Sequence, residues 1–278
     1  MNLSDVCLML KTAGVDNFYN EAVALVIHIT GMSKLDLLTN RKAVINDKYI
    51  DEINNAVRRR AGGEPLQYIT GTQEFMSLEF YVDKNVLIPR QDTETLVETV
   101  IDEFKAHSTD IEILDVCTGS GAIAVSLAHY LKNARVTAVD ISGTALNVAE
   151  KNVSLNKTDG RVFLKKCDVL AENIGGRYDV IVSNPPYICS GVIDTLDTTV
   201  KDYEPRIALD GGADGLVFYR KITHDAVKML KQNGMLIFEI GYDQGSQVSK
   251  IMELEGFKNV DVIKDYSGND RCVKGRLS

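Results

Sequence analysis

The chain has 278 residues, 45% of them hydrophobic and 25% charged, enough to bury a sizeable core in one large or two modest domains. Its net charge of −8 argues against a protein whose main business is gripping nucleic-acid phosphates. Five scattered cysteines without a C-x-x-C, four dispersed histidines and no span-length apolar run point to a cytoplasmic protein without disulfides, metal or membrane contact.

Residues 1–72 read as several short helices. Val6, Leu8, Met9 and Leu10 begin one apolar pattern; Ala22, Val23, Leu25, Val26 and Ile29 give a second at helical spacing, ended by Gly31. Tyr49, Ile50, Ile53 and Val57 lead to a stop at Gly62-Gly63. The pattern predicts a small all-α bundle. It holds no nucleophile set and no glycine-rich loop, so its expected work is recognition or scaffolding. Arg58-Arg59-Arg60 is the densest basic run, and a solvated helix end explains it better than a phosphate patch.

Residues 73–88 change texture. Stretches 74–82 and 86–88 have strand composition around the turn cluster Asp83-Lys84-Asn85, which predicts a β-hairpin linker. Residues 89–278 form the second domain. A helix over 96–104, capped by Asp92 or Thr93, comes first. Strands at 111–116, 135–140, 161–164, 179–182 and 234–239 then alternate with helices at 122–131, 143–155, 215–230 and 244–254. Residues 260–263 and 272–275 pair as a final antiparallel hairpin. The fold class is α/β, a doubly wound and mainly parallel sheet behind the all-α bundle.

Two loops carry the chemistry. The first, Asp115-Val116-Cys117-Thr118-Gly119-Ser120-Gly121, ends a strand and opens a helix. Glycines there let backbone N–H groups and a helix N-terminus approach a ligand closely. Asp140, at the end of the next strand, is placed to bond ribose hydroxyls. Gly119 to Ala124 formally satisfies the nicotinamide dinucleotide fingerprint, yet Asp115 would crowd a pyrophosphate. A cofactor with an adenosine, a cation and an ammonium group, and no phosphate, suits the loop better; S-adenosylmethionine is that cofactor. Asp168 either accepts from an adenine amino group or caps a helix.

The second loop is Ser183-Asn184-Pro185-Pro186-Tyr187, where a buried strand must stop. Carboxyl ends of strands are where ligands bind in open α/β sheets. The Asn184 side-chain oxygen and the Pro185 carbonyl can take both N–H bonds of an –NH₂ whose lone pair is delocalised, favouring its cationic form as a new bond grows. Tyr187 can stack on a planar amide or base. Orientation supplies much of the rate in an in-line methyl transfer, and no catalytic base is needed beforehand.

These residues resemble the Asn/Asp-Pro-Pro-Tyr amino-methyltransferases, and nearly the whole chain resembles the release factor glutamine methyltransferases. The likeness runs through Gly63-Glu64-Pro65-Leu66-Gln67-Tyr68, residues 87–94, the Asp115 loop, Ser183 to Ile188, Tyr203-Glu204-Pro205 and Asp265-Tyr266. It implies a class I S-adenosylmethionine-dependent methyltransferase domain and methylation of the glutamine N5 in the Gly-Gly-Gln loop of class I peptide chain release factors. Carried over, Cys117, Thr118, Gly119, Ser120, Gly121, Asp140, Asp168, Val169 and Asn184 hold the cofactor. Asn184, Pro185, Pro186 and Tyr187 seat the glutamine, with Asn184, Pro185 and Tyr187 catalytic. Gln91 and Cys117 depart from the family, which often has proline and glycine there. Arg90 orients substrate or methionine carboxylate, or caps a helix. A DNA or RNA adenine methyltransferase would share the tetrapeptide, but the acidic balance counts against one; a nicotinamide dehydrogenase leaves Asn-Pro-Pro unexplained. Nothing in the sequence demands more than a monomer.

Overall fold

Ile113, Leu114 and Val116 are fully buried side by side in the strand Ile111–Val116, which only the middle of a sheet covered on both faces allows. The computed structural model describes residues 1–39 and 44–277; residues 40–43 of the expected bundle and Ser278 lie outside the described residues. The described chain divides into two units, Met1–Thr72 with Asp197–Tyr203, and Gln73–Leu196 with Glu204–Ser278. Residues 197–203, expected with the second domain, thus group with the first.

The first unit holds α1 (Leu3–Thr12), α2 (Phe18–Thr30), α3 (Lys34–Thr39), α4 (Ile50–Ala61) and α5 (Leu66–Thr70). Asn2 opens α1 with a capping box, accepting the Ser4 and Asp5 N–H groups while its own N–H goes to the Asp5 carboxylate. Leu3, Val6, Leu10, Leu25, Val26, Ile53 and Val57 build one core from three helices. Two of the three consecutive arginines are tied to carboxylates: Arg59 to Glu64, and Arg60 to Glu21 across from α4 to α2. Tyr203 joins this unit through its hydroxyl, which donates to the Gly62 carbonyl at 2.8 Å.

A hairpin, β1 (Thr72–Phe75) and β2 (Leu78–Tyr81), opens the second unit, which takes in β1 from Gln73 onward. Its turn is Met76-Ser77, not the expected Asp83-Lys84-Asn85, and residues 86–88 are not a strand. Met76 and Ser77 both have positive φ, +51° and +56°, as a two-residue hairpin loop requires. The Met76 N–H donates to Glu94 at 2.7 Å and its carbonyl accepts the Tyr130 hydroxyl at 2.6 Å, which holds this strained turn in place.

The seven-stranded sheet follows: β3 (Ile111–Val116), β4 (Ala134–Asp140), β5 (Val162–Lys166), β6 (Tyr178–Ser183), β7 (Leu230–Glu239), β8 (Phe257–Lys264) and β9 (Asp270–Leu277). Its order is β5-β4-β3-β6-β7-β9-β8, parallel except that β9 runs antiparallel to both neighbours. The helices are α6 (Glu94–Phe104), α7 (Ala122–Tyr130), α8 (Gly143–Leu155), α9 (Thr198–Lys201, in the first unit), α10 (Val217–Met229) and α11 (Gly245–Leu254). Buried side chains of α6, α7 and the hairpin form one core with Ile111 and Ile113; those of α10 and α11 form the other with Leu114 and Val116. Each such large side chain contributes roughly 1.5–3 kcal/mol. The sheet brings the ends of β3, β4, β6 and β7 to one edge. No helix among the described residues is long and apolar enough to cross a membrane.

Candidate active site

The β3–α7 loop is held by two acids, Asp115 fully buried and Asp140 half-buried. Asp140, leaving β4, accepts the Gly119 N–H through Oδ2 and the Ser142 N–H through Oδ1, each at 2.8 Å. Burial raises its pKa, and these backbone donors oppose the rise. Asp115 lies inside β3 without exposed surface; its Oδ2 takes the Thr118 hydroxyl at 2.5 Å and its Oδ1 has no partner. Burial pushes the Asp115 carboxyl up to about 7.

Gly121 enters α7 with φ +79°, and a Cβ there would stand 3.1 Å from that of Ala149. Its lack of a side chain lets α8 approach closely, the packing role of the last glycine in such loops. Gly119 is different: a Cβ there would meet nothing within 4 Å, so its backbone borders open space. Cys117 has φ +62°, which explains why glycine suits this position; an L-residue in that region costs about 1–2 kcal/mol.

β6 delivers Asn184 beside the end of β7, because Ser183 pairs with Phe238 in the parallel register. Asn184 Nδ2 donates to Thr93 Oγ1 at 3.3 Å. The Tyr187 hydroxyl points to Glu239 Oε1 at 3.5 Å, and its carbonyl accepts from Gln244 Nε2 at 3.1 Å. Burial raises the tyrosine's pKa, with the Glu239 charge adding to it. Behind the motif, Gly211 N–H donates to the Ile188 carbonyl at 2.8 Å, and a Cβ on Gly215 (φ +71°) would fall 2.4 Å from the Tyr187 carbonyl oxygen. The loop 205–215 therefore backs the motif so closely that only glycine fits at Gly215.

A cavity of about 320 Å³ opens over this edge of the sheet. Cys117, Thr118, Gly119, Ser120, Asp140, Asp168, Val169, Asn184 and Pro186 all lie on its wall, with Phe75, Ile141, Ile207 and Phe218 among its apolar members. Of the expected site residues, Gly121, Pro185 and Tyr187 are not on that wall. Gly121 packs helices, Pro185 is buried, and Tyr187 packs against the core that Leu114 and Val116 share with α10 and α11. Asp168 Oδ1 caps its own turn by accepting the Leu170 N–H at 3.0 Å, which leaves its other oxygen free of that duty. The wall's charged residues are Asp140, Asp168 and Arg90, and Arg90 is committed to both oxygens of Glu204 at 2.8 and 2.7 Å. An apolar cavity with two acids and a neutralised base fits an adenosine-bearing cation and disfavours a pyrophosphate.

The sequence reading gives Thr93, Glu204, Glu239 and Gln244 no part in the site: Thr93 stands there as a helix cap, Glu204 only within the family likeness, and Glu239 and Gln244 only as ends of elements. The available signal was register: Glu239 ends the strand that pairs with the one ending at Asn184, so two polar residues leave the sheet together.

A family model described as "Methyltransferase small domain" matches residues 91–201, and one described as "PrmC N-terminal domain" matches residues 3–71. A release factor glutamine methyltransferase of Clostridium botulinum is 42% identical over 96% of this chain and 95% of its own length. One of Moorella thermoacetica is 43% identical over 97% and 95%. Among solved structures, a methyltransferase from Pyrococcus furiosus shares the fold with a TM-score of 0.53 at 19% identity, over 73% of this chain and 90% of its own. A methyltransferase domain built on this sheet, and relatives matching at both ends, place the chain in the release factor glutamine methyltransferase family.

Proposed function

We propose that the chain transfers a methyl group from S-adenosylmethionine to the N5 side-chain nitrogen of the glutamine in the Gly-Gly-Gln motif of class I peptide chain release factors. The observation that carries this reading is one cavity whose wall holds the Gly119 loop, Asp140, Asp168 and Asn184 together. When bound, S-adenosylmethionine supplies an electrophilic methyl on a cationic sulfur. Asp140 is proposed to hold the ribose hydroxyls, Asp168 and Val169 the adenine, and the Cys117–Ser120 backbone the remainder.

Asn184 does the orienting. Its Nδ2 is occupied by Thr93, so its Oδ1 is the end available to accept from an incoming amide N–H. With the Pro185 carbonyl as second acceptor, the glutamine nitrogen is fixed and its growing positive charge stabilised by dipoles already in place. Tyr187 is proposed to act by anchoring the motif through Glu239 and Gln244, and Pro186 by walling the glutamine slot. The nitrogen sheds its proton once it is cationic, so no basic side chain is required at the site. The helical unit, residues 1–72, is proposed to recognise the release factor, and the work is cytoplasmic, where translation ends.

The test is incubation with labelled S-adenosylmethionine and, separately, an unmethylated class I release factor, DNA and RNA. Label in the release factor alone is expected; label in nucleic acid and none in the release factor would overturn the reading.

A further inference from the structure

We propose that Asn152 is a positioning residue for the cofactor, S-adenosylmethionine being taken as that cofactor from the function proposed above. Its buried carboxamide ties the Ser120 carbonyl of the β3–α7 loop to the backbone of β2. Two walls of the cavity are thereby held by one side chain that is not itself on the wall.

Asn152 stands near the end of α8 and is fully buried. Its Nδ2 donates to the Ser120 carbonyl and to the Tyr81 carbonyl, both at 2.9 Å. Its Oδ1 accepts the Tyr81 N–H at 2.7 Å. These partners fix which end of the amide is which, because a half-turn would set donor against donor and acceptor against acceptor at all three. Asparagine is a poorer helix former than alanine, so what it contributes here lies in what it reaches.

The peptide between Ser120 and Gly121 is held at both of its polar atoms. Its carbonyl goes to Asn152, and its N–H, on Gly121, donates to the Thr118 carbonyl at 2.9 Å. Gly121 packs against Ala149, one turn before Asn152 on the same face of α8. With Asp140 on the Gly119 N–H, the loop is pinned at three successive residues. Backbone fixed in this way loses little freedom when a ligand settles on it, and affinity gains accordingly.

The hairpin is the other wall. β2 has β1 alone as a partner strand, and α8 supplies what a second would. Asn152 exchanges two hydrogen bonds with Tyr81 as a facing strand residue does, and Asn156, one turn on, donates to the Glu79 carbonyl at 2.9 Å. The hairpin carries Phe75 on the cavity wall, and its ring meets that of Phe80, the neighbour of Tyr81, edge-on at 6.0 Å. Asn156 holds the hairpin but not the loop; Asn152 holds both.

The test measures the S-adenosylmethionine Kd by titration calorimetry, and KM and kcat with an unmethylated class I release factor. Asn152→Ala is expected to raise the Kd and the KM for S-adenosylmethionine about tenfold and to leave kcat at saturating cofactor within about twofold. Asn156→Ala, which cuts a hairpin bond and spares the loop, is expected to lower Tm and keep the wild-type Kd. In the wild type, S-adenosylhomocysteine is expected to slow hydrogen exchange at the Tyr81 N–H about tenfold more than at amides of α2, in the other unit. A wild-type Kd in Asn152→Ala, an equal rise in Asn156→Ala, a fall in kcat in place of the rise in KM, or equal slowing of exchange at both places overturns the inference. The exchange measurement reads the folded wild type, so it decides even where Asn152→Ala fails to fold. A wild-type chain that binds no S-adenosylmethionine overturns the proposed function, and this inference with it.

Discussion

Asp140 Oδ2 holds the Gly119 N–H at 2.8 Å, so the acid that ends β4 also shapes the loop that ends β3. The same carboxylate takes the Ser142 N–H and still lines the cavity, which leaves each oxygen one further lone pair for a ligand hydroxyl. Asp140→Ala is expected to weaken S-adenosylmethionine binding by tenfold or more, equal to about 1.4 kcal/mol, as measured by titration calorimetry. Unchanged affinity would remove Asp140 from the cofactor site.

Cys117 sits at φ +62°, where the family usually has glycine. Cys117→Gly relieves about 1–2 kcal/mol of native strain, offset by roughly 0.5–1 kcal/mol of added unfolded-state freedom. Urea unfolding should therefore show Cys117→Gly at least as stable as the wild type, and Cys117→Val, β-branched at positive φ, clearly less stable. A destabilised glycine variant would contradict this account of the loop.

Asp115 couples stability to pH. Its folded carboxyl is raised to about 7 from the ordinary aspartate value of 3.8, chiefly by burial. Between those values the folded chain binds the proton that the unfolded chain has released, so stability falls as pH rises through the window. The loss is complete above about 7 and amounts to roughly 4 kcal/mol. Asp115→Asn should flatten the decline in denaturant midpoints from about pH 4 to 7.5; an equally steep decline would show that the acid titrates normally.

Gly215 was read from sequence as the mere start of a helix, yet its position is set by the motif it touches. With φ +71° and no room beside the Tyr187 carbonyl, Gly215→Ala is expected to cost roughly 3 kcal/mol in unfolding experiments and to displace the motif, lowering kcat. Stability and activity close to wild type would mean that the loop 205–215 does not support Asn184.

The alternating strands of the second unit were legible because each is a buried apolar run followed by a helix with its own apolar face. The hairpin was placed wrongly for a physical reason. Met76 and Ser77 adopt left-handed conformations that their side chains do not favour, and Glu94 and Tyr130, far along the chain, hold them there. Asp83-Lys84-Asn85 has turn chemistry and does turn, with the Val86 N–H on the Asp83 carbonyl at 3.1 Å, but no strand follows to make a hairpin. In the site, Asn184, Asp140 and the Gly119 loop announced themselves by residue type at strand ends. Thr93, Glu204 and Glu239 did not, since each gains its meaning from a partner 91, 114 or 52 residues away.

The central claim is that Asn184 presents its amide oxygen to the glutamine nitrogen and leaves the cofactor to its neighbours. Mass spectrometry of the Gly-Gly-Gln peptide from a treated release factor tests it, run beside calorimetry of S-adenosylmethionine binding. The wild-type chain is expected to add one methyl to that glutamine, and Asn184→Ala to add none while binding the cofactor nearly as well. Methylated glutamine at the wild-type rate from Asn184→Ala would contradict the account.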